Sequence, residues 1–381
     1  MTTRRLRLGM VGGGEGSFIG AVHRLAARMD DQYELVAGAF SSDRERGARS
    51  GAALHVPSDR IYPDFETMAQ AEAARDDRID VVSVVTPNDS HAAICSAFLR
   101  AGIGVICDKP LTTTIEDARS LRTLVRQTGL PFIVTHTYAG YPMVREARAM
   151  VAAGALGTIR LVQVEYPQDW LSEPVRSKQA DWRVDPAKSG PTGCTGDIGT
   201  HAHHLACYVS GLEVETLLAE LSTMVPGRAL DDNVGMLLRY KGGARGMLWA
   251  SQVAPGDANG LRVRVYGERG SLFWVQQFPN QLQHTPLGEA TRTLFLGMKG
   301  LSPVAVAGAR VPAGHPEGYL EAFAQLYTDA AAVIRAHADG HRADTELDLL
   351  PGIDAGVRGV AFIMAALRSS EAGGCWTAIE D

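Results

Sequence analysis

Between residues 6 and 135, short apolar runs alternate with stretches of helical spacing. The runs lie at 6–12, 34–40, 81–85, 104–107 and 132–135; helical spacing covers 20–29, 43–51, 65–74, 91–101 and 115–127. Val81-Val82-Ser83-Val84-Val85 is apolar toward both faces, the mark of a parallel strand covered on both sides. Strand–helix alternation predicts an α/β fold with a doubly wound parallel sheet.

Past residue 140 the period changes. Helical spacing over 144–153 gives way to alternating strand candidates at 158–166, 233–240, 245–253, 261–267 and 271–276. Lys241-Gly242-Gly243 and Gly267-Glu268-Arg269-Gly270 read as hairpin turns. This part predicts an α+β unit with a large, open, mainly antiparallel sheet, buried on one face. Helical patterns return at 316–337 and 351–369, and 302–314 reads as a connecting loop.

A chain of 381 residues exceeds one ordinary core, so two domains are expected, at 1–139 and 140–381. With 45% hydrophobic and 21% charged residues it reads as a packed globular protein. A net charge of −6 and the lack of a basic stripe argue against nucleic-acid and membrane-surface partners. No window has the length of a membrane span, and the first residues lack the apolar core of a signal peptide. Five scattered cysteines with no Cys-x-x-Cys pair suit a reduced, cytoplasmic protein.

Two places carry candidate chemistry. The first is the loop Gly12-Gly13-Gly14-Glu15-Gly16-Ser17-Phe18-Ile19-Gly20, between the first strand and first helix. Residues without Cβ let a backbone turn tightly against a pyrophosphate, whose charge a helix N-terminus stabilises. The spacing Gly-x-Gly-x5-Gly is three residues longer than the usual dinucleotide fingerprint. At the end of the second strand, Ser41 stands where an acid would bind the adenosine ribose, with Ser42, Arg44 and Arg46 beside it. That leans toward NADP over NAD, although Asp43 serves equally as a helix cap.

The second place is Cys194-Thr195-Gly196-Asp197-Ile198-Gly199-Thr200-His201-Ala202-His203-His204. A helix starting near 195–197 sets Asp197 and His201 on one face, four residues apart. Lys109, in Cys107-Asp108-Lys109-Pro110, stands at the end of an apolar run. Together these three suggest proton-coupled chemistry on a hydroxyl. A histidine titrating near neutral pH takes the proton, a carboxylate orients it, and an ammonium favours the alkoxide. The bland readings are a helix cap for Asp197, a core histidine for His201 and an exposed strand-end lysine for Lys109.

Four fragments in this order resemble the glucose–fructose oxidoreductase / inositol dehydrogenase (Gfo/Idh/MocA) family over essentially the full length. They are the glycine loop ending Gly20-Ala21-Val22-His23, then Thr86-Pro87-Asn88-Asp89-Ser90-His91, then Asp108-Lys109-Pro110, and finally Asp197-Ile198-Gly199-Thr200-His201. The resemblance implies a dinucleotide-binding Rossmann domain followed by a substrate domain whose sheet builds a homodimer or homotetramer. It implies NAD(P)-dependent oxidation of a sugar or cyclitol ring hydroxyl, with Lys109, Asp197 and His201 as the catalytic positions. Gly12, Gly14, Gly16, Ser17, Phe18, Ile19, Ser41, Ser42, Arg46, Thr86, Pro87, Asn88, His91, Asp108 and Lys109 are then the cofactor contacts. Three departures stand out: the longer glycine loop, Asp108 where the family usually has glutamate, and His204 where many members have aspartate.

Substrate contacts are expected from Tyr138, Tyr141, Asp169, Trp170, Trp182, Arg183 and His204, since aromatic faces pack on sugar C–H groups while polar groups bind hydroxyls. The aromatic richness points to a substrate larger than a bare cyclitol, such as an anhydrosugar or glycoside. The His201–His204 cluster lacks a second ligand group, so no metal is expected. Other readings stay open: a glycoside-cleaving enzyme whose nicotinamide is only transiently reduced, a non-catalytic dinucleotide-binding regulator, and a keto-sugar reductase.

Overall fold

The structure, a computed structural model, describes residues 4–174, 178–341 and 349–381. The chain forms two compact units, one of Met1–His136 with Phe323–Val357 and one of Thr137–Ala322 with Arg358–Asp381.

In the first unit five parallel strands lie in the order β2-β1-β3-β4-β5. They are β1 (Leu6–Gly12), β2 (Tyr33–Ala39), β3 (Val81–Val85), β4 (Gly104–Cys107) and β5 (Phe132–Val134). Between them run α1 (Phe18–Met29), α2 (Arg44–Ala53), α3 (Phe65–Ala73), α4 (His91–Arg100) and α5 (Ile115–Thr128). Every residue of β3 is buried, as a strand with no polar face requires. The chain turns from β1 to β2 on one side and resumes at β3 on the other. The carboxyl ends of β1 and β3 therefore flank the crevice in which such sheets bind ligands.

A distant segment completes this unit. Tyr327, on the helix Tyr319–Ala338, contacts the Ser83 hydroxyl and, at 2.8 Å, His23 Nδ1. The Tyr33 hydroxyl donates to the Tyr327 carbonyl at 2.8 Å. Val134 donates its N–H to the Pro351 carbonyl at 2.8 Å, so β5 gains a backbone partner from the far end of the chain.

The second unit holds a nine-stranded sheet in the order β13-β12-β11-β10-β6-β9-β8-β7-β14. Its strands are β6 (Ile159–Pro167), β7 (Val214–Ser222), β8 (Asn233–Tyr240), β9 (Arg245–Ser251), β10 (Arg262–Gly267), β11 (Gly270–Val275), β12 (Gln281–Pro286), β13 (Arg292–Phe295) and β14 (Thr377–Ala378). The β6–β9 pair is parallel and its other pairs are antiparallel. Along β8, Val234, Met236, Leu238 and Tyr240 are buried while Gly235 and Leu237 face out. The helices are α6 (Pro142–Ala152), α7 (Lys178–Arg183), α8 (Pro186–Ser189), α9 (Thr200–Ser210) and α10 (Pro303–Ala307), with the part of Ile353–Glu371 from Arg358 onward. Helix α9 packs on β6 and on α6.

Both expected hairpins form. Four strands were not expected: β7, β12, β13 and β14. Val214–Ser222 is rich in Leu, Glu and Ala, which favour helix, and its pairing with β8 overrides that preference. The stretch expected as a loop at 302–314 contains α10, where Pro303 takes the first helical position.

Candidate active site

The glycine loop occupies the switch point of the first sheet. Gly12 ends β1 with φ +82°, and a Cβ there would lie 2.9 Å from the Val85 carbonyl oxygen and 2.8 Å from Thr86 Cγ2. A Cβ on Gly14 would lie 2.6 Å from the Phe40 carbonyl oxygen, and Gly16 also has positive φ, +76°. The Ser17 hydroxyl accepts from Gly20 N at 3.2 Å and caps α1, whose first turn holds no acid. The backbone N–H groups of Phe18 and Ile19 are thus at a helix start whose first turn carries no acid. Their side chains differ: Phe18 is exposed, whereas Ile19 packs on Met10, Phe40, Val56 and Val85. This loop fits the pyrophosphate of a dinucleotide.

At the end of β2, the Asp43 carboxylate accepts from Arg46 N at 2.8 Å and caps α2. That hydrogen bond holds its carboxyl below the usual range. Ser41 Oγ accepts from Asp43 N at 3.2 Å, and Ser42 and Arg46 are exposed.

At the end of β3, Ser90 Oγ donates to Thr86 Oγ1 at 2.7 Å; Asn88 is buried and Pro87 half-buried. The buried His91 ring reaches the Thr86 carbonyl and the Pro110 carbonyl, each at 3.0 Å, and straps the loops after β3 and β4 together. After β4, Asp108 Oδ1 accepts from Lys109 N at 2.9 Å and from Thr135 Oγ1 at 2.8 Å. Lys109 follows, half-buried.

In the second unit, residues Thr195–Gly199 form one π-helical turn that runs into α9. The expected helix start is therefore wider than an α-turn, and Asp197 lies inside it rather than at an N-cap position. Its Oδ2 accepts from Gln252 Nε2 at 2.9 Å and from Arg183 Nε at 3.3 Å. The Arg183 guanidinium lies over the rings of Trp182 and Trp170, 4.5 and 5.9 Å from their centroids. Three expected substrate residues are thus brought together beside Asp197. Trp170 donates its indole N–H to Gln168 Oε1 at 2.9 Å, and Asp169 Oδ2 accepts from Gly256 N at 3.4 Å.

His201 is half-buried at the start of α9. The Tyr138 ring stands edge-on to it at 5.0 Å, and Tyr166 lies at 6.4 Å. The Tyr138 and Tyr166 hydroxyls are hydrogen-bonded, and burial pushes both phenols well above their ordinary range. Tyr141 is stacked beneath Tyr138 and packs on Trp274, almost wholly buried.

The remaining histidines of the cluster diverge. His203 is a core residue, stacked on Phe362 at 4.1 Å, and burial pushes it down to about 3. His204 stacks on Tyr208. Among the described residues, no three His, Cys, Asp or Glu side chains are grouped to hold an ion, and no described helix is long and apolar enough to cross a membrane.

Sequence reasoning missed Gln252, Asp231 and Asp232. Asp231 accepts from Gly193 N, Thr195 N and Thr195 Oγ1 at 2.6, 2.8 and 2.7 Å. An acidic pair just before a strand was the signal in the sequence; nothing marked Gln252.

Comparison with known proteins agrees with this anatomy. Residues 6–136 match an oxidoreductase family model with an NAD-binding Rossmann fold, and residues 144–273 match the GFO/IDH/MocA C-terminal domain. An uncharacterized oxidoreductase of Bacillus subtilis, YfiI, is 38% identical over 98% of this chain and 97% of its own length. The levoglucosan dehydrogenase of Pseudarthrobacter phenanthrenivorans is 28% identical over 89% of this chain and 93% of its own. A crystal structure of an inositol dehydrogenase homolog from Azotobacter vinelandii, complexed with NADH and myo-inositol, is 40% identical. It superposes with a TM-score of 0.93, covering 99% of this chain and 98% of that one.

Proposed function

Because this chain belongs to the Gfo/Idh/MocA family of NAD-binding oxidoreductases, we propose that it moves a hydride between NAD(P) and a ring carbon of a sugar, anhydrosugar, glycoside or cyclitol. The observation that carries this is a half-buried imidazole, His201, one turn after a carboxylate held by Arg183 and Gln252. Alcohol oxidation needs such a proton acceptor with a fixed neighbour. A bound nicotinamide supplies the hydride acceptor. In this reading His201 takes the hydroxyl proton, Asp197 stabilises the resulting imidazolium, and Lys109 stabilises the alkoxide. Relatives acting on levoglucosan or bound to myo-inositol support a cyclic polyol as substrate.

A panel of cyclitols, sugars, anhydrosugars and glycosides, assayed for reduced-nicotinamide absorbance with NAD and NADP separately, tests the proposal. Cofactor reduction by a cyclic polyol is expected. Release of a sugar from a glycoside with no net reduction would replace it with the glycoside-cleaving alternative.

For the cofactor, we read the end of β2 as permitting NADP. The acid there is engaged as the cap of α2, Ser41 offers only a hydroxyl, and Arg46 is exposed. For assembly, we assign the outer face of the nine-stranded sheet to contact between copies. Leu161, Leu237, Met247 and Trp249 are exposed there, and a hollow of about 670 Å³ opens among the last three.

A further inference from the structure

The turn that carries Asp197, and the amide that meets its carboxylate, are held by residues outside the expected substrate set. The backbone N–H of Asp197 donates to the Gly193 carbonyl at 2.9 Å. Gly193 is in turn pinned, because its N–H donates to Asp231 Oδ1 at 2.6 Å. A Cβ on Gly193 would lie 2.4 Å from the Asp231 carbonyl oxygen, so the two backbones are in contact. Cys194 and Thr195 donate to Asp231 as well. The side chain of Asp197 has a separate support. Gln252 is buried, and its N–H donates to the Asp232 carbonyl at 2.8 Å. The adjacent residues Asp231 and Asp232 therefore fix both the backbone of Asp197 and the amide that meets its carboxylate.

We propose that Gln252, set by the Asp231-Asp232 pair, is a positioning residue that keeps Asp197 ionised and aimed during turnover. The inference rests on the reading of Asp197 and His201 given above. An amide N–H donating to a carboxylate favours the charged form. Its donation also leaves Asp197 only a narrow choice of rotamer. Among the described residues, the charged and titratable groups around Asp197 include Arg183 from α7, Tyr166 from β6, Cys194 just before its turn, Asp231 and Asp232 behind that turn, and His201 beyond it. Arg183 is a cation among them, and it is shared with two indole rings. The amide donates to the same oxygen, Oδ2, at the shorter distance.

The test compares Gln252→Leu and Gln252→Glu with the parent enzyme on the best substrate of the panel, reading kcat, both KM values and the pH profile of kcat/KM. Loss of the donor in Gln252→Leu is expected to lower kcat roughly tenfold to a hundredfold, with KM for the dinucleotide unchanged. In Gln252→Glu two carboxylates would face each other at the present hydrogen-bond distance, so one stays protonated. Its acid limb is expected to move upward in pH, further than that of Gln252→Leu. Should Gln252→Glu fail to fold, the acid limb of Gln252→Leu decides alone. A merely structural role would lower the melting temperature and leave the acid limb where it is, and that result overturns the inference. His201→Ala, run alongside, separates the two levels. If it retains full turnover, the catalytic reading itself has failed. If it is inactive while both Gln252 variants keep the parent pH profile, only the positioning role has failed.

Discussion

Gly20 in α1 stands so close to Gly13 that a Cβ on Gly20 would lie 2.3 Å from the Gly13 Cα and 2.8 Å from its carbonyl oxygen. Backbone rests on backbone, and this contact sets how α1 leaves the loop. Gly20→Ala has no soft side chain to push aside. It is expected to destabilise the protein by about 1–3 kcal/mol and to weaken dinucleotide binding by tilting the start of α1. Thermal unfolding and a fluorescence titration with NADH check both effects. An alanine variant with parent stability and affinity would contradict the contact.

His201→Ala and Lys109→Ala are each expected to lower kcat by about 10²–10⁴-fold while dinucleotide affinity changes little. Single-turnover absorbance traces separate the chemical step from binding. Asp197→Asn should follow the same pattern, since an amide cannot stabilise a neighbouring imidazolium as a carboxylate does.

Two histidines tie stability to pH. Burial holds His203 down at about 3 and His23 at about 4, against an ordinary 6.5. Below pH 6.5 the unfolded chain takes up protons that the folded chain refuses. Their contribution is therefore complete above pH 6.5 and is lost as pH falls toward 4 and then 3. Each is expected to add a slope of up to about 1.4 kcal/mol per pH unit in that window. Urea unfolding between pH 7.5 and 4.5 measures it. His203→Phe, which keeps an aromatic ring against Phe362, should flatten the slope by one proton.

Ser41→Asp places an acid at the end of β2, where ribose hydroxyls are bound in this kind of sheet. The ratio of kcat/KM for NADP to that for NAD is expected to fall at least tenfold, because a carboxylate repels a 2′-phosphate. An unchanged ratio would mean that this strand end does not read the ribose.

Met247→Glu or Trp249→Lys puts a charge in the exposed apolar face of the large sheet. Light scattering after size exclusion is expected to show a smaller assembly than the parent. If neither substitution changes the mass, copies meet elsewhere.

The parallel strands were legible because β3 and β4 are apolar toward both faces, a pattern only a doubly covered sheet explains. β8 and β9 were legible because the Lys241-Gly242-Gly243 turn separates two apolar runs. β12 and β13, with the sequences Gln281–Pro286 and Arg292–Phe295, are polar strands at one end of the sheet, and only their neighbours make them strands. In the candidate site, Asp197 and His201 were visible because both sit within one turn of chain. Gln252 was not, because it meets Asp197 across 55 residues and no local pattern records that pairing. His203 and His204 looked alike in sequence; the packing of Phe362 on His203 distinguishes them.

The Tyr327 hydroxyl and carbonyl satisfy Ser83, His23 and Tyr33, three residues far earlier in the chain. A fragment cut after the fifth parallel strand would leave those groups stranded in an apolar interior, along with the exposed flank that Pro351 now covers. Anyone wishing to express the nucleotide half by itself must splice residues 323–357 back on. The late segment is a structural component of the early sheet, so the two halves of this polypeptide cannot be separated with a single cut.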